Sequence, residues 1–343
     1  MVNLERLHST ARTVSQALSV HNDIRVRKAL FKNRQRGSVG SQLSVMVCGL
    51  FIAGCTGSAG TVTTMTAISP SPMAIPLATP TTPKLLFETD LKTQTGTSYS
   101  LDWSMDGEVL AVASGVEVTL LRHDLSETIA VLKPEGGALV TTWSPEQTMI
   151  ATVGGFRNPI IAIWNWDSVS VNLRRAQQIS AGSDQYAVSW SPDGLRLATL
   201  ADDRKSSIQI WDTSTWELLH QFDLSYANPR RALNWSTDGK KIYAAGELNG
   251  QVVYFSLNVE NGAVQELGKL PTEQVFAFAV SPDLKKIAVA DESGKVQVLE
   301  MKSGSLLTEF QSVSTPVDLA WNPKNATVAI LGYKTELQLW AVE

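Results

Sequence analysis

Residues 188–194 read VSWSPDG, a sequence in which a predicted strand leads directly into a tight turn. The residues up to Trp190 alternate between apolar and polar, as they do in a half-buried β-strand. In the turn, Pro192 fixes φ, Asp193 accepts backbone N–H bonds and Gly194 tolerates positive φ. The stretch therefore predicts a hairpin whose first strand ends at Trp190.

The same short sequence motif recurs along the chain at a nearly constant spacing. Six segments carry it: LDWSMDG (101–107), TTWSPEQ (141–147), VSWSPDG (188–194), LNWSTDG (233–239), FAVSPDL (278–284) and LAWNPKN (319–325). The successive tryptophan positions, with Val280 replacing the fifth, are 40, 47, 45, 45 and 41 residues apart. A repeat of this length is typical of propeller blades.

Each unit contains the strands that a blade needs. A second apolar strand follows the turn, a third strand is rich in β-branched and aromatic residues, and most units add a fourth strand. Clear sequences of third strands are SIQIWDT, QVVYFSL, KVQVLEM and ELQLWAV. Clear sequences of fourth strands are WELLHQF and SLLTEFQ. Four short antiparallel strands per repeat predict an all-β propeller.

The two ends of the repeat array predict how the ring closes. The sixth unit stops at its third strand, near Trp340, and residues 84–89 (KLLFET) match the fourth-strand texts. We therefore expect six four-stranded blades, with this N-terminal strand completing the last one. Seven blades are the alternative, if one unit has diverged beyond recognition.

Residues 84–343 resemble the WD40-repeat propellers, with Ile210-Trp211-Asp212 as the best-preserved signature and residues 164–167 (WNWD) as a looser one. No unit contains a Gly-His dipeptide, so we expect the family's His/Ser/Trp/Asp hydrogen-bond network to be missing. The Ser-Pro-Asp-Gly turns also resemble those of TolB-type six-bladed propellers, and the subtype stays open. Either resemblance implies a scaffold that binds through its loops.

A basic segment, an apolar segment and a cysteine precede the repeats. Residues 43–54 (LSVMVCGLFIAG) are too short to span a bilayer, which needs about 20 residues, but they fit the h-region of a secretory signal. Ile52, Ala53, Gly54 and Cys55 resemble the lipobox of bacterial lipoproteins. That resemblance implies cleavage before Cys55 and lipidation of its thiol.

We assign residues 1–54 to a signal peptide and residues 55–83 to the lipidated cysteine and a Thr/Ser/Pro-rich tether. The basic n-region is unusually long, so a later start, for example at Val39, is an alternative. A buried core element or an uncleaved anchor are the other interpretations of the apolar segment. Residues 56–83 carry no charge and five prolines, and at roughly 3 Å per residue they could reach about 80 Å from the bilayer.

The charge balance argues against a nucleic-acid partner. Eight of the 29 basic residues and two of the 33 acidic residues lie in residues 1–36, which leaves 21 basic and 31 acidic residues afterwards. Nucleic-acid binders usually present a basic patch. An acidic propeller is a poor match for phosphate backbones.

The sequence offers little that points to catalysis. Asp106, Asp193, Asp238 and Asp283 recur at the same turn, so we interpret them as structural. His123 and His220 are scattered and have no cysteine partners, and the predicted channel loops carry no paired carboxylates. We therefore expect no metal, no cofactor and no enzymatic activity.

The candidate partner-binding surface is the face formed by the loops between second and third strands and between fourth and first strands. Loops on a rigid scaffold concentrate binding residues, and Tyr, Phe and Arg dominate interface energetics. The candidate residues are Phe156, Arg157, Asn158, Asp202, Asp203, Arg204, Tyr226, Arg230, Arg231 and Tyr333.

The sequence as a whole predicts an exported, monomeric, membrane-anchored lipoprotein. Its propeller would be a non-catalytic scaffold that binds unidentified envelope proteins. The alternative is a small-ligand-binding or hydrolytic propeller that uses its axial channel. The protein would face the periplasm from the outer membrane, or face outward in a cell with one membrane.

Overall fold

The computed structural model describes residues 82–92, 97–154, 159–170, 172–202, 205–226, 232–271, 275–313 and 315–342. The regular secondary structure of these ranges consists of 24 β-strands in six four-stranded antiparallel sheets. A membrane-spanning helix is not found among these described residues. The lipobox, residues 52–55, and residues 56–81 of the predicted tether lie outside the described residues.

The strands follow the repeat order, and each blade takes four of them. Blade 1 contains β2 (Ser100–Trp103), β3 (Val109–Ala113), β4 (Val118–Arg122) and β5 (Thr128–Leu132). Blade 2 contains β6 (Val140–Trp143), β7 (Met149–Gly154), β8 (Ile160–Asp167) and β9 (Asn172–Ser180). Blade 3 contains β10 (Gln185–Trp190), β11 (Arg196–Asp202), β12 (Ser206–Asp212) and β13 (Leu218–Asp223).

The second half of the ring has the same plan. Blade 4 contains β14 (Asn234–Trp235), β15 (Lys241–Leu248), β16 (Gln251–Asn258) and β17 (Val264–Lys269). Blade 5 contains β18 (Val275–Val280), β19 (Lys286–Asp291), β20 (Lys295–Glu300) and β21 (Leu306–Gln311). Blade 6 contains β22 (Pro316–Trp321), β23 (Thr327–Gly332), β24 (Glu336–Ala341) and β1 (Lys84–Asp90).

The first strand of each blade lies innermost, because neighbouring first strands contact one another around the axis. β2, for example, contacts β6 on one side and β22 on the other. The fourth strands lie outermost and are mostly exposed. Six blades are confirmed, and the seven-blade alternative is wrong.

β1 closes the ring as predicted. It pairs antiparallel with β24, with Lys84 opposite Ala341 and Asp90 opposite Glu336. The side chain of Gln338 reinforces this pairing, since its Nε2 donates to Glu88 Oε1 at 2.7 Å. The two strands are distant in sequence, so this pair ties the start of the propeller to its end.

The apolar core consists of six clusters, and each one lies between two adjacent blades. The tryptophan that ends an inner strand packs against the preceding blade: Trp143, for example, contacts residues of blade 1. These indoles are buried, at 3–8% exposure for Trp103, Trp143, Trp190, Trp235 and Trp321. The repeated tryptophan thus forms the contact between sheets.

Blade 5 has Val280 where the other blades have tryptophan, and Tyr254 of blade 4 compensates. Tyr254 is 2% exposed and packs with Phe278 and Val280. Its hydroxyl donates to the carbonyl of Met301 in blade 5 at 2.9 Å. In the seam between blades 3 and 4, the equivalent link is made by Trp235 Nε1, which donates to Ser189 O at 3.1 Å.

Candidate functional site

The ring has two faces, which carry different connections. The loop face is formed by the connections from second to third strands and from fourth to first strands. The turn face is formed by the connections from first to second strands and from third to fourth strands. The sequence-based prediction assigns the partner-binding residues to the loop face.

Three of the predicted residues fall within the described chain. Tyr226 follows β13, Tyr333 lies between β23 and β24, and Asp202 ends β11, where it pairs with Ser206. The remaining predictions lie outside the described residues and stay predictions. These are Phe156, Arg157, Asn158, Asp203, Arg204, Arg230 and Arg231 on the propeller, and Ile52, Ala53, Gly54 and Cys55 before it.

Both described tyrosines on the loop face are half-buried and held by neighbours. The Tyr226 ring stacks on Phe255, with ring centroids 4.2 Å apart and an angle of 4° between the planes. Tyr333 lies near Tyr99, and burial raises the pKa of both Tyr226 and Tyr333. The two phenols therefore stay neutral hydrogen-bonding groups at physiological pH.

The axial cavity has a volume of about 340 Å³. Its lining includes residues from the inner strands of all six blades and from their first turns, such as Met105, Pro145 and Pro282. Neither Tyr226 nor Tyr333 lines it. The described part of the cavity therefore extends toward the turn face rather than toward the predicted loops.

Two aspartates that no sequence motif indicated, Asp102 and Asp318, line this cavity. Asp318 of blade 6 accepts the backbone N–H of Leu101 in blade 1 at 2.9 Å, and also that of Leu319 at 2.9 Å. Asp102 of blade 1 accepts the N–H of Trp143 in blade 2 at 2.8 Å. Each carboxylate therefore bridges two neighbouring blades.

Burial dominates the ionisation of both carboxylates. Loss of solvation raises the pKa of Asp318 to about 7, although its hydrogen bonds oppose this effect. The pKa of Asp102 rises to about 6 for the same reason, and the Thr142 hydroxyl, at 2.8 Å, also opposes the rise. Within the described lining, Asp102 and Asp318 are the only ionisable side chains.

The aspartates of the repeated turn are structural, as predicted. Asp283 Oδ1 accepts the Ser281 hydroxyl at 2.7 Å and the Lys285 N–H at 3.1 Å. The same pattern occurs at Asp106, Asp193 and Asp238. These hydrogen bonds give the carboxylates a structural role in the turn.

Part of the WD40 hydrogen-bond network, which was expected to be missing, is present. Trp211 Nε1 donates to Thr199 Oγ1 at 3.0 Å, and Trp164 Nε1 donates to Thr152 Oγ1 at the same distance. Blades 2 and 3 thus each contain a tryptophan–threonine hydrogen bond like the one in that network. Twelve residues separate the partners in each case, on adjacent strands, so the bond depends on sheet register.

A second cavity, which we call the blade 1–2 groove, lies on the turn face and has a volume of about 580 Å³. Its walls include the indoles of Trp143 and Trp166, which contact edge to face with centroids 6.1 Å apart. Asp106, Glu146 and Asp167 supply its charged lining. Trp143 lines both this groove and the axial cavity.

The turn face carries an uneven distribution of charge. Both signs occur in each half, but acidic residues dominate blades 1–3 and lysines dominate blades 4–6. The acidic set includes Asp106, Glu108, Glu146, Asp167, Asp193 and Asp212. The lysines are Lys240, Lys241, Lys285, Lys286, Lys302 and Lys324.

The two histidines of the propeller lie apart from both cavities. His123 Nδ1 lies 3.0 Å from Glu108 Oε2, and the His220 ring stacks on Phe222. In the part of the chain that the structure describes, no three His, Cys, Asp or Glu side chains are grouped so that they could hold a metal ion.

Comparison with known proteins identifies relatives of low sequence identity. No family model matches the chain. Protein HIR1 of Cryptococcus neoformans is 27% identical over 57% of this chain and 24% of its own length. Actin-related protein 2/3 complex subunit 1A of Arabidopsis thaliana is 25% identical over 45% of this chain and 42% of its own length. The chain therefore spans only about a quarter of the length of HIR1.

Solved structures show the same fold at low identity. The β-propeller domain of Cps50 (Swd1) from Myceliophteria thermophila superposes with a TM-score of 0.54 at 16% identity, over 72% of this chain and 83% of that domain. Kuenenia stuttgartiensis hydrazine synthase gives a TM-score of 0.55 at 15% identity, over 71% of this chain and 82% of that one. The protein is a six-bladed β-propeller.

Proposed function

We propose that this protein is an exported, lipid-anchored scaffold whose propeller binds protein partners without catalysing a reaction. One observation carries the non-catalytic part of the proposal. Asp102 and Asp318, the only ionisable groups in the described lining of the axial cavity, both accept backbone N–H bonds between blades. Because these carboxylates hold the ring together, the exposed loops and turns are left as the binding surface.

The relatives favour protein partners. One of them is named as a subunit of the actin-related protein 2/3 complex, which is an assembly of proteins. WD-repeat propellers in general serve as interaction scaffolds, and a rigid ring suits this role because binding does not have to order it first. Fold alone does not identify the partner.

The envelope location rests on the sequence around Cys55. Residues 52–55 resemble a lipobox, and the uncharged, proline-containing segment after Cys55 suits a spacer between a membrane and a folded domain. The proposed partner is therefore a protein of the cell envelope.

Crosslinking in intact cells tests the proposal. The tagged full-length protein is purified from the membrane fraction after crosslinking, and everything recovered with it is identified by mass spectrometry. We expect a reproducible envelope protein, and we expect its yield to fall when Phe156, Arg157 and Tyr226 are changed to Ala. Recovery of the propeller alone would contradict the scaffold function.

The axial cavity gives the second candidate function, which is binding of a small ligand. Its volume of about 340 Å³ lies at the lower end of the range for ligand pockets, and five indoles line it. Isothermal titration with small amines and sugars, compared between the wild type and Asp102→Asn, tests this alternative. Binding that is lost in the variant would favour it over the scaffold.

A further inference from the structure

We infer that the blade 1–2 groove binds a basic, extended peptide segment of the protein partner, through its carboxylates and its two indoles. This inference rests on the scaffold function proposed above and adds a second contact surface and the partner's chemistry. It places a binding site on the turn face, opposite the predicted loop face.

The groove has the size and shape for a peptide. Its volume of about 580 Å³ lies within the range of ligand-binding clefts, and its lining includes turn residues of both blades. Val109 and Ile129 add apolar side chains to its lining. A cleft between two rigid sheets can accept an extended chain without rearranging either sheet.

The charge of the groove has one sign. Asp106, Glu146 and Asp167 line it, and no Lys, Arg or His is found among its described lining residues. Asp106 and Asp167 are engaged by neighbouring hydroxyls, Ser104 at 2.6 Å and Ser170 at 2.6 Å. Glu146 is exposed and makes no ion pair or hydrogen bond with the described residues, so its carboxylate is available to an occupant.

The indoles give the groove an aromatic wall. Trp143 is 4% exposed, and its Nε1–H, like those of Trp103 and Trp190, has no acceptor among the described residues. Because this buried donor recurs at the same position of blades 1, 2 and 3, it belongs to the repeat and does not mark the groove. Trp166, whose ring contacts Trp143 edge to face, is a half-buried surface on which a guanidinium can stack.

These features favour a basic peptide over a metal ion. The described residues of the groove do not include three carboxylates grouped for metal coordination. Arginine instead combines a planar fork for carboxylates with a face that stacks on indole. The lysines of blades 4–6 repel a basic segment from the other half of the turn face, so they direct it toward blades 1 and 2.

A labelled basic peptide tests the inference directly. The probe is a fluorescein-labelled octapeptide of alternating glycine and arginine, titrated with the full-length chain in detergent, and binding is followed by fluorescence anisotropy. We expect Glu146→Lys to weaken binding about fivefold or more, since it replaces an attraction by a repulsion. Higher salt should weaken binding to the wild type.

Glu260→Lys is the matched control. Glu260 is exposed on the turn face of blade 4, and its substitution changes the net charge by the same amount far from the groove. We expect this variant to bind the peptide like the wild type. Glu146→Gln should give an intermediate affinity, and thermal melts of all variants confirm that each is folded.

Two results would overturn the inference. One is absence of peptide binding to the wild type at low salt, and the other is an equal loss in Glu146→Lys and Glu260→Lys. Repeating the cell crosslinking with Glu146→Lys separates this inference from the scaffold function. If Glu146→Lys recovers as much partner as the wild type does, the scaffold function stands and the groove is not its binding site. If the wild type recovers no partner, the scaffold function itself is wrong.

Discussion

Asp318 couples the stability of the ring to pH, because its carboxylate lies buried in the seam between blades 6 and 1. Its pKa is raised from 3.8 to about 7 in the folded protein. The folded state therefore binds the proton more tightly than the unfolded chain does. The stability that this proton contributes is complete below pH 3.8 and is lost as the pH rises through about 7.

Asp318→Asn should flatten this dependence. We expect the melting temperature of the variant, relative to the wild type, to be higher at pH 8 than at pH 5, because the amide carries no charge to bury. Between pH 5 and pH 8, the difference in unfolding free energy between the variant and the wild type should change by about one to three kcal/mol. Scanning fluorimetry from pH 5 to pH 8 measures it.

Asp102→Asn provides the comparison, since the pKa of Asp102 is raised only to about 6. As the pH rises, the melting temperature of Asp102→Asn relative to the wild type should therefore stop changing at a lower pH than that of Asp318→Asn. Identical profiles for the wild type and both variants would show that neither carboxyl titrates in this range.

Thr199 satisfies the buried indole of Trp211, and removing its hydroxyl should be costly. Thr199→Val keeps the shape of the side chain but leaves Trp211 Nε1–H without its 3.0 Å acceptor. We expect a loss of about 1–3 kcal/mol in the free energy of unfolding, measured by chemical denaturation. Thr199→Ser, which keeps the hydroxyl, should cost less, and equal losses would assign the effect to packing instead.

The residues found only in the structure had no distinctive local sequence. Asp102 and Asp318 are polar residues in inner strands that also contain Ser100 and Thr142, so ordinary strand alternation explains them equally well. Their importance arises from the ring, which places each beside the backbone of the next blade. The Trp211–Thr199 bond likewise depends on the pairing of two strands, which one segment of sequence does not specify.

At the scale of elements, β1 is the part on which ring closure depends. It lies at the outer edge of blade 6, is almost wholly exposed, and is held by its pairing with β24 and by the Gln338–Glu88 bond. Without it, β24 would become an open edge strand, which is a template for association between chains.

A chain truncated before Leu91, which lacks β1, tests this role. We expect its melting temperature to fall by about 5–10 °C, because blade 6 loses a complete strand pairing. We also expect concentration-dependent association, measured by light scattering. Adding a synthetic peptide of residues 84–90 should reverse both effects, and a truncated chain that melts like the wild type would contradict the role of β1.

Most elements could be predicted because the signal repeats. The turn motif recurs six times, so the strands on either side of it are predicted independently from several copies. The exceptions also have physical reasons. Gln147 and Leu284 have positive φ at the turn position where other copies have glycine, such as Gly194. These two turns therefore have the same conformation, although a side chain makes positive φ less favourable than it is for glycine. The blade 1–2 groove was not predicted, because it is formed by turns that only the ring brings together.

At the scale of the whole molecule, the proposed anchor determines where the protein is found. Cys55→Ala removes the only thiol of the proposed lipobox, so we expect the protein to leave the membrane fraction or to remain unprocessed. Cell fractionation with mass spectrometry of the N-terminus distinguishes these products from the lipidated form.

Cys48→Ala is the matched control, because Cys48 lies within the proposed signal and would be removed with it. This variant should remain in the membrane fraction with its lipid. If both variants fractionate like the wild type, Cys55 is not the anchor. The propeller itself would then have to account for any membrane association.

The closing strand also has a mechanical consequence. In chain order the tether leads directly into β1, so tension between the proposed anchor and a bound partner reaches the Lys84–Ala341 pair first. Because that pair is at the near end of the β1–β24 ladder, a pull away from the sheet loads its hydrogen bonds one after another. The β1–β24 pair would therefore separate at a lower force than a strand pair pulled parallel to its strands. The ring would then open at blade 6.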